Sequence, residues 1–376
     1  MSTLNKAGLE DVVVSTSDIC FIDGREGRLV YRGYDVDDLA AHSTFEEVVY
    51  LLWFGALPTK KEYDTFYKTM SSTASRKLPP KLVELLRGMP KKTTPMEVLR
   101  TGVSALSAFD PDAADNSREA SVRKATRLTA QMPTLVATWE RIRRGKPLVA
   151  PDPKLNLAAN FLYMMSGKKP TELATKTFDV ALILHADHEF NASTFAARVT
   201  AATMSDMHSA ITSAIGALKG PLHGGANEQV MLMVDKIKDP AKADAWIRKA
   251  IADKARIMGF GHRVYRVEDP RAKHLRRLAT ELGRQVGDEG KVQILNTVAR
   301  VVTEEKKIYP NVDLYSGAGY AAMGIPTDQF TPIFAMSRVA GWAAHVLEQH
   351  GNNRLIRPRA EYTGSTRATY VPISQR

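Results

Sequence analysis

The chain has 376 residues, 44% of them hydrophobic and 25% charged, a globular composition long enough to bury a core without disulfides or structural metals. Cys20 is the only cysteine, which excludes an intramolecular disulfide and any cysteine-built zinc or iron–sulfur centre. Lys and Arg outnumber Asp and Glu by 52 to 41, and the resulting formal charge of +11 favours anionic partners. The bases are spread along the chain and aromatic content is only 7%, so nucleic acid is not the expected partner. The N-terminus "MSTLNKAGLEDVVVSTSD" lacks the apolar core of a signal peptide, and no apolar run approaches the ~20 residues that span a bilayer. A cytoplasmic protein without membrane contact is expected.

The first 35 residues read as extended, with two short apolar runs in "DICFIDGREGRLVYRGY" around Asp23-Gly24 and Gly27 forming a hairpin. Helix signals dominate from there. "STFEEVVYLLWFGALP" opens with Ser43 and Glu46 in capping-box spacing and closes at Gly55 and Pro58. "TTPMEVLRTGVSALSAF" has Thr94 as cap, Pro95 in the first turn and Glu97 three residues on. A long helical stretch, "SREASVRKATRLTAQMPTLVATWERIRRGKP", contains Pro133, which predicts a kink or break. Helical periodicity continues over 155–167, 171–190, 192–217, 225–237, 240–255, 270–286, 290–307 and 329–349. The basic tail "NRLIRPRAEYTGSTRATYVPISQR" reads as extended. There is no βαβ alternation and no dinucleotide glycine fingerprint. Glycine and proline at 219–225 and 323–327 are candidate domain crossings that would bracket an inserted smaller domain.

Four places carry residue types that packing does not require. In "LILHADHEF" a helix would put His185 and His188 on one face, with Asp187 and Glu189 beside them. A metal site, a histidine that binds an anionic substrate, and a packed histidine with solvated neighbours all remain open there. In "KGPLHGGANEQV", His223 precedes a helix beginning near Ala226. The positive end of that helix favours a neutral imidazole, able to donate a hydrogen bond to a developing oxyanion; the alternative is a turn histidine. In "MGFGHRVYRVEDPR", Gly259 and Gly261 flank Phe260, His262 follows, and Arg263, Arg266 and Arg271 lie close by. Backbone N–H groups beside arginines suit a phosphate, and Arg271 after Asp269-Pro270 suits a carboxylate; the alternative is a basic surface loop. In "YPNVDLYSG", Asp313 has apolar neighbours and reads either as a general base of raised pKa or as the cap of a helix starting near Leu314. Arg338 sits inside an apolar helical stretch and needs a partner. Arg357 lies in the extended tail. His208, His274, His345 and His350 read as packing or surface residues.

Taken in order and spacing, "HADHE", "GPLHGGAN", "FGHRVYR..DPR", "PNVD.YSG", "SR..GW" and "IRPR..YTG" resemble the citrate synthase family, over about Gly8 to Gly364. The resemblance implies a mainly all-α fold of two domains with a short N-terminal β segment. The large domain would span 1–223 and 325–376, and the small domain 224–324. It implies a homodimer whose cleft closes on oxaloacetate and creates the acetyl-CoA site. The catalytic positions fall on His223, His262 and Asp313, and the oxaloacetate ligands on His188, Arg271, Arg338 and Arg357, the last from the other subunit. Ile257, Met258, Gly259, Phe260, Gly261, Arg266 and Lys306 match the coenzyme A site, and Phe334 an aromatic near the acetyl group. No permanently bound cofactor and no metal is implied; coenzyme A enters as cosubstrate. The extra N-terminal domain of the longer, NADH-inhibited members is absent, which implies no NADH control.

The chemistry asks for the same residue types. A thioester methyl is a very weak carbon acid, so a base must work together with a donor to the enolate oxygen. An aspartate at the ordinary value of ~3.9 is too acidic for that work unless it is buried. Two readings compete with citrate synthesis: 2-methylcitrate synthesis from propionyl-CoA, and a binding protein that retains the fold without turnover. A metal-dependent hydrolase is a third.

Overall fold

The computed structural model describes residues 7–9 and 12–376; the parts of the expected extended N-terminus at 1–6, 10 and 11 lie outside the described residues. Residues Ala7–Leu9 form a single 3-10 turn rather than extended chain. Three antiparallel strands follow, β1 (Cys20–Asp23), β2 (Arg28–Tyr31) and β3 (Tyr34–Asp35), paired in that order with Phe21 opposite Val30. The hairpin turn closes where the Asp23 carboxylate accepts the N–H groups of Arg25 and Glu26, both at 2.9 Å.

The rest is helical. The first half comprises α1 (Val36–His42), α2 (Phe45–Phe54), α3 (Lys60–Ser71), α4 (Thr73–Arg76), α5 (Pro80–Gly88), α6 (Pro95–Leu106), α7 (Arg118–Arg143) and α8 (Leu157–Ser166). Then come α9 (Glu172–His185), α10 (Ala192–Ala201), α11 (Met207–Leu218), α12 (Ala226–Ile237) and α13 (Ala243–Ala252). The last four are α14 (Pro270–Val286), α15 (Gly290–Lys306), α16 (Asp313–Ala322) and α17 (Phe330–Gly351). Among the described residues, no helix is long and apolar enough to cross a membrane.

Local chemistry sets many of the helix ends. Thr94 and Glu97 form the expected capping box, with Pro95 in the first turn of α6. Thr59 and Glu62 do the same for α3. The expected cap of α2 is shifted by one residue: Thr44 is the N-cap, accepting the Glu47 N–H, while Ser43 bonds the Glu47 carboxylate. Glu46 is thereby free to turn inward, where it is 1% exposed and accepts the N–H of Leu157 at 2.7 Å. A long-range bond to the start of α8 has displaced the local one.

Two other expectations are corrected. α7 runs unbroken through Pro133. Nearly every residue from Ala120 to Ile142 is buried, and packing on all sides outweighs the roughly 3 kcal/mol that an interior proline costs. The stretch 192–217 is two helices, because the chain turns at Met204, with φ +64°, and restarts at the Asp206 N-cap.

The core is centred on α7 and α17, which pack together and are buried around most of their circumference. α6, α8, α10 and α11 surround them. Helices α12 to α16 pack chiefly on one another, with α14 also resting on α1 and α9, and α12 on α17. Trp53 of α2 is 1% exposed and donates its indole N–H to the Ala340 carbonyl of α17 at 2.9 Å, fixing the central helix where the later site residues are mounted. Replacing Trp53 with Phe removes this bond and leaves a gap, so Trp53→Phe is expected to lower unfolding free energy by about 2 kcal/mol or more. Urea denaturation at unchanged m-value would measure it; an unchanged midpoint would contradict the anchoring.

Candidate active site

α9 ends at His185, earlier than its periodicity suggests, so His185 and His188 do not share a helical face. Residues Ala186–Phe190 turn away from the axis, with Glu189 in the left-handed region at φ +54°. Two elements hold the turn. From α17, Arg338 Nε donates to the His185 carbonyl at 2.7 Å and the Gly341 N–H to the Ala186 carbonyl at 3.0 Å. From β2, the Tyr31 hydroxyl lies 3.0 Å from the Asp187 carbonyl and accepts the Asp187 N–H at 3.3 Å. His188 thus faces His262, with ring centroids 5.0 Å apart, and its Nε2 lies 3.3 Å from the Tyr265 hydroxyl.

His262 stands on a loop shaped by Gly259 and Gly261, both at positive φ (+87° and +72°) where a β-carbon is disfavoured. Asn311 binds this loop to the start of α16: its N–H donates to the Gly259 carbonyl, its amide to the Gly261 carbonyl, and its oxygen accepts the Asp313 N–H at 3.0 Å. His262 Nδ1 accepts the N–H groups of Val264 and Tyr265, at 2.9 and 3.2 Å, which leaves its proton on Nε2. On the far side of the loop, the Arg266 N–H donates to the Gly24 carbonyl in the strand hairpin.

Arg271 and Arg338 are 2% and 1% exposed. Arg271 makes two parallel bonds to Asp269, at 2.9 and 2.7 Å, and Asp269 also accepts the Val312 N–H beside Asp313. Arg338 has no carboxylate in a salt bridge among the described residues; it lies over the Phe334 ring at 4.5 Å. Asp313 is the first residue of α16 and not its cap, and its carboxylate accepts no hydrogen bond among the described residues. His223 lies just before α12, and its Nε2 accepts the Ser193 N–H at 3.2 Å and lies 2.8 Å from the Ser193 hydroxyl, which leaves its proton on Nδ1. Thr331 of α17 steadies this loop by donating to the Gly224 carbonyl.

The electrostatics follow from burying cations together. Burial brings His223 down to about 4, with the Arg338 charge adding to the effect. Burial and then Arg271 bring His262 to about 4, and the same causes hold His188 well below its ordinary value. All three are neutral near pH 7. Burial raises Asp313 to about 6, against the pull of Arg271 and Arg338. Burial lowers Arg338 to about 10. Burial would also lower Arg271, but Asp269 outweighs it and keeps that guanidinium charged. Such a site holds neutral donors, one base of raised pKa and two buried guanidinium groups, with the Asp269 and Asp187 carboxylates near them. It is suited to a small carboxylate substrate and to removing a proton from carbon.

Among the described residues, no group of three or more His, Cys, Asp or Glu side chains is arranged to hold a metal ion. His185 does not face such a site: its Nδ1 bonds the Ala181 carbonyl at 2.7 Å inside α9.

The structure does not bring every expected residue into this cluster. Arg357 is exposed on the tail after α17. Lys306 is exposed at the last residue of α15, and the Arg266 side chain faces solvent. Ile257 and Met258 border a separate cavity of about 450 Å³, lined also by Trp246, Lys236, Lys249 and Arg256. A larger cavity, about 810 Å³ between α2, α3 and α7, shares no residue with the histidine cluster. Phe334 is buried, with its ring 5.0 Å from that of His185. Ser193, Tyr265, Asn311 and Asp269 also build the site. Of these only Asp269, in the helix-opening Asp-Pro-Arg, carries a local signal in the sequence; Ser193 reaches His223, Tyr265 reaches His188 and Asn311 reaches the 259–261 loop through contacts distant along the chain.

Residues 8–359 match the family model "Citrate synthase, C-terminal domain". The citrate synthase of Haloferax volcanii is 49% identical over 382 residues, covering 100% of both chains. The 2-methylcitrate synthase of Mycobacterium tuberculosis is 45% identical over 359 residues, covering 96% of this chain and 90% of its own. Among solved structures, the Thermoplasma acidophilum citrate synthase in ternary complex with carboxymethyl coenzyme A and oxaloacetate superposes with a TM-score of 0.90 at 37% identity, covering 98% of each chain.

The raised pKa of Asp313 has a consequence for stability. A carboxyl titrating near 6 when folded and at 3.8 when unfolded binds its proton more tightly in the folded state. The associated stability is full below the unfolded value and is lost as pH rises through 6. Asp313→Asn is therefore expected to exceed the parent in stability at pH 8 by about 2–3 kcal/mol, with the gap closing toward pH 4. Urea denaturation without substrate at both pH values reads this, and an equal offset at both would contradict a buried carboxylate.

Proposed function

The chain belongs to the citrate synthase family of acyltransferases, and on that premise we propose that it condenses acetyl-CoA with oxaloacetate to give citrate and CoA. The observation that carries this reading is the meeting of neutral His188, His223 and His262 with Asp313, raised to about 6, beside buried Arg271 and Arg338.

Asp313 removes a proton from the thioester methyl. His223, neutral and carrying its proton on Nδ1, donates a hydrogen bond to the thioester oxygen as the enolate forms. The new carbon–carbon bond forms at the ketone carbon of oxaloacetate. His262 polarises that ketone through its Nε2 proton and protonates the resulting alkoxide. Arg271 and Arg338 hold the carboxylates, with His188 beside them, and Arg357 of a second subunit completes the pocket. Water then hydrolyses the citryl thioester, which makes the sequence effectively irreversible. Ile257–Gly261, with Arg266 and Lys306, bind coenzyme A; the cationic cavity beside Ile257 and Met258 supports that placement.

In this reading the large domain is 1–223 with 325–376 and the small domain 224–324. Their closure excludes water before the enolate forms. The protein works as a cytoplasmic homodimer in the tricarboxylic acid cycle, without nucleic acid or membrane partners. A second reading, 2-methylcitrate synthesis from propionyl-CoA, is favoured by the 45% identity to the Mycobacterium tuberculosis enzyme. One extra methylene changes selectivity in an apolar pocket by only about 1–3 kcal/mol, so dual activity is compatible with the same site.

Coenzyme A thiol release with oxaloacetate, measured with EDTA present and with acetyl-CoA or propionyl-CoA in parallel, tests the function. Faster release with acetyl-CoA is expected; faster release with propionyl-CoA would move the assignment to 2-methylcitrate, and no release with either would leave a binding protein. Asp313→Ala is expected to lower kcat by about 10²–10⁴-fold while retaining oxaloacetate affinity, and normal turnover would remove Asp313 as the base. Arg357→Ala is expected to weaken oxaloacetate binding by roughly tenfold to a hundredfold. Mixed dimers of Arg357→Ala with His223→Ala should regain partial activity, and a lack of recovery would rule out a shared site.

A further inference from the structure

The turn that presents His188 has a third support. Asp187 and His345 are both 0% exposed, and His345 Nε2 lies 3.2 and 3.3 Å from the two Asp187 carboxylate oxygens. His345 Nδ1 faces Arg198 Nη1 at 3.1 Å. An arginine can only donate, so Nδ1 accepts and the histidine proton lies on Nε2, toward Asp187. The Asp187 Oδ2 also accepts the Glu189 N–H at 3.1 Å, closing the turn around His188. Arg198 continues outward to the Glu348 carboxylate, which accepts the Ser17 hydroxyl and the Asp18 N–H, both at 3.1 Å. Phe190 fills the remaining side, with Arg198 4.5 Å above its ring and the His345 ring 5.5 Å away.

Burial by itself would raise the Asp187 carboxyl, but His345 and Arg338 outweigh it and hold it below its ordinary value. Its carboxylate is therefore a firm acceptor on the residue next to His188. His345 is one helical turn beyond Gly341 and two beyond Arg338, so three residues on one side of α17 each hold a different part of the turn.

We propose that His345 is a positioning residue for oxaloacetate, fixing Asp187 and through it the orientation of His188. This rests on the reading that His188 contacts oxaloacetate. Without the Nε2 donor, the buried Asp187 carboxylate loses a partner and reorients, and the adjoining His188 leaves its position between Tyr265 and His262.

Two substitutions separate the two sides of the ring. The side-chain oxygen of Asn can occupy the place of Nδ1 and keep Arg198, but Asn ends short of Asp187. The amide of Gln reaches the place of Nε2 and keeps Asp187. By isothermal titration, His345→Asn is expected to bind oxaloacetate about tenfold or more weakly, and His345→Gln within about threefold of the parent. The KM for the acyl-CoA should not change in either. Equal oxaloacetate affinity in His345→Asn, or equal losses in both variants, would overturn the proposal, since a purely structural histidine affects melting temperature alone or both variants alike. A second readout avoids a destabilising variant. In protein labelled with ¹⁵N-histidine, oxaloacetate should shift the Nε2 resonance of His345, assigned by its loss in His345→Gln; no shift at saturation overturns the proposal even if His345→Asn does not fold. His188→Ala distinguishes the premise. Unaltered binding there removes the role of His188 and this inference with it, whereas weakened binding there beside unaltered binding in His345→Asn overturns this inference alone.

Discussion

The site depends on a backbone contact between α17 and the turn after α9. At Gly341 the two segments approach so closely that a β-carbon would collide with the Asp187 carboxylate and the Ala186 carbonyl. Only glycine lets the Gly341 N–H reach that carbonyl. The contact ends α9 at His185, swings His188 off the helix and brings it against the 259–265 loop. It also makes α17 the common mount for the turn, for Arg338 and for the His223 loop. The helix can serve in this way because its buried circumference is locked between α7, α2 and α10.

The second constraint is charge. Two arginines are buried in one small volume, and a single carboxylate, Asp269, pairs with one of them. The arginine charges add to burial in keeping His223 and His262 unprotonated; Arg338 makes no salt bridge among the described residues, and Asp187 is the principal carboxylate charge acting on it. Neutral histidines then serve as donors whose protons are placed by backbone contacts: at Nε2 in His262 and at Nδ1 in His223. Asp313 titrates high for the complementary reason. It is enclosed, and its N–H is held by Asn311 while its carboxylate is left unbonded among the described residues. Holding Asp313 at a raised pKa costs stability above about pH 6, where its carboxylate is ionised.

Much of this was legible in the sequence. Capping signals such as Thr94-Pro95 with Glu97, and Asp269-Pro270, act within one helical turn and located their helices correctly. The glycines around Phe260 announced a shaped loop. The histidines, arginines and Asp313 stood out as ionisable groups in segments whose order along the chain resembled a known family. Composition and charge pointed toward anionic partners.

What the sequence left open required contacts between distant segments. Periodicity ran past His185 because the signal that ends α9 is on α17, far along the chain. Pro133 reads as a helix breaker until burial on all sides of α7 is known. Glu46 reads as a local capping partner, yet Leu157 claims it. His345 reads as packing until Asp187 and Arg198 are found at its two nitrogens. The sequence by itself determined which chemical groups are present and where most helices begin, since those depend on residue type and on neighbours a few positions away. Tertiary structure alone decided which groups meet, which tautomers they hold and how far their pKa values move, since these depend on burial and on partners brought together only by folding.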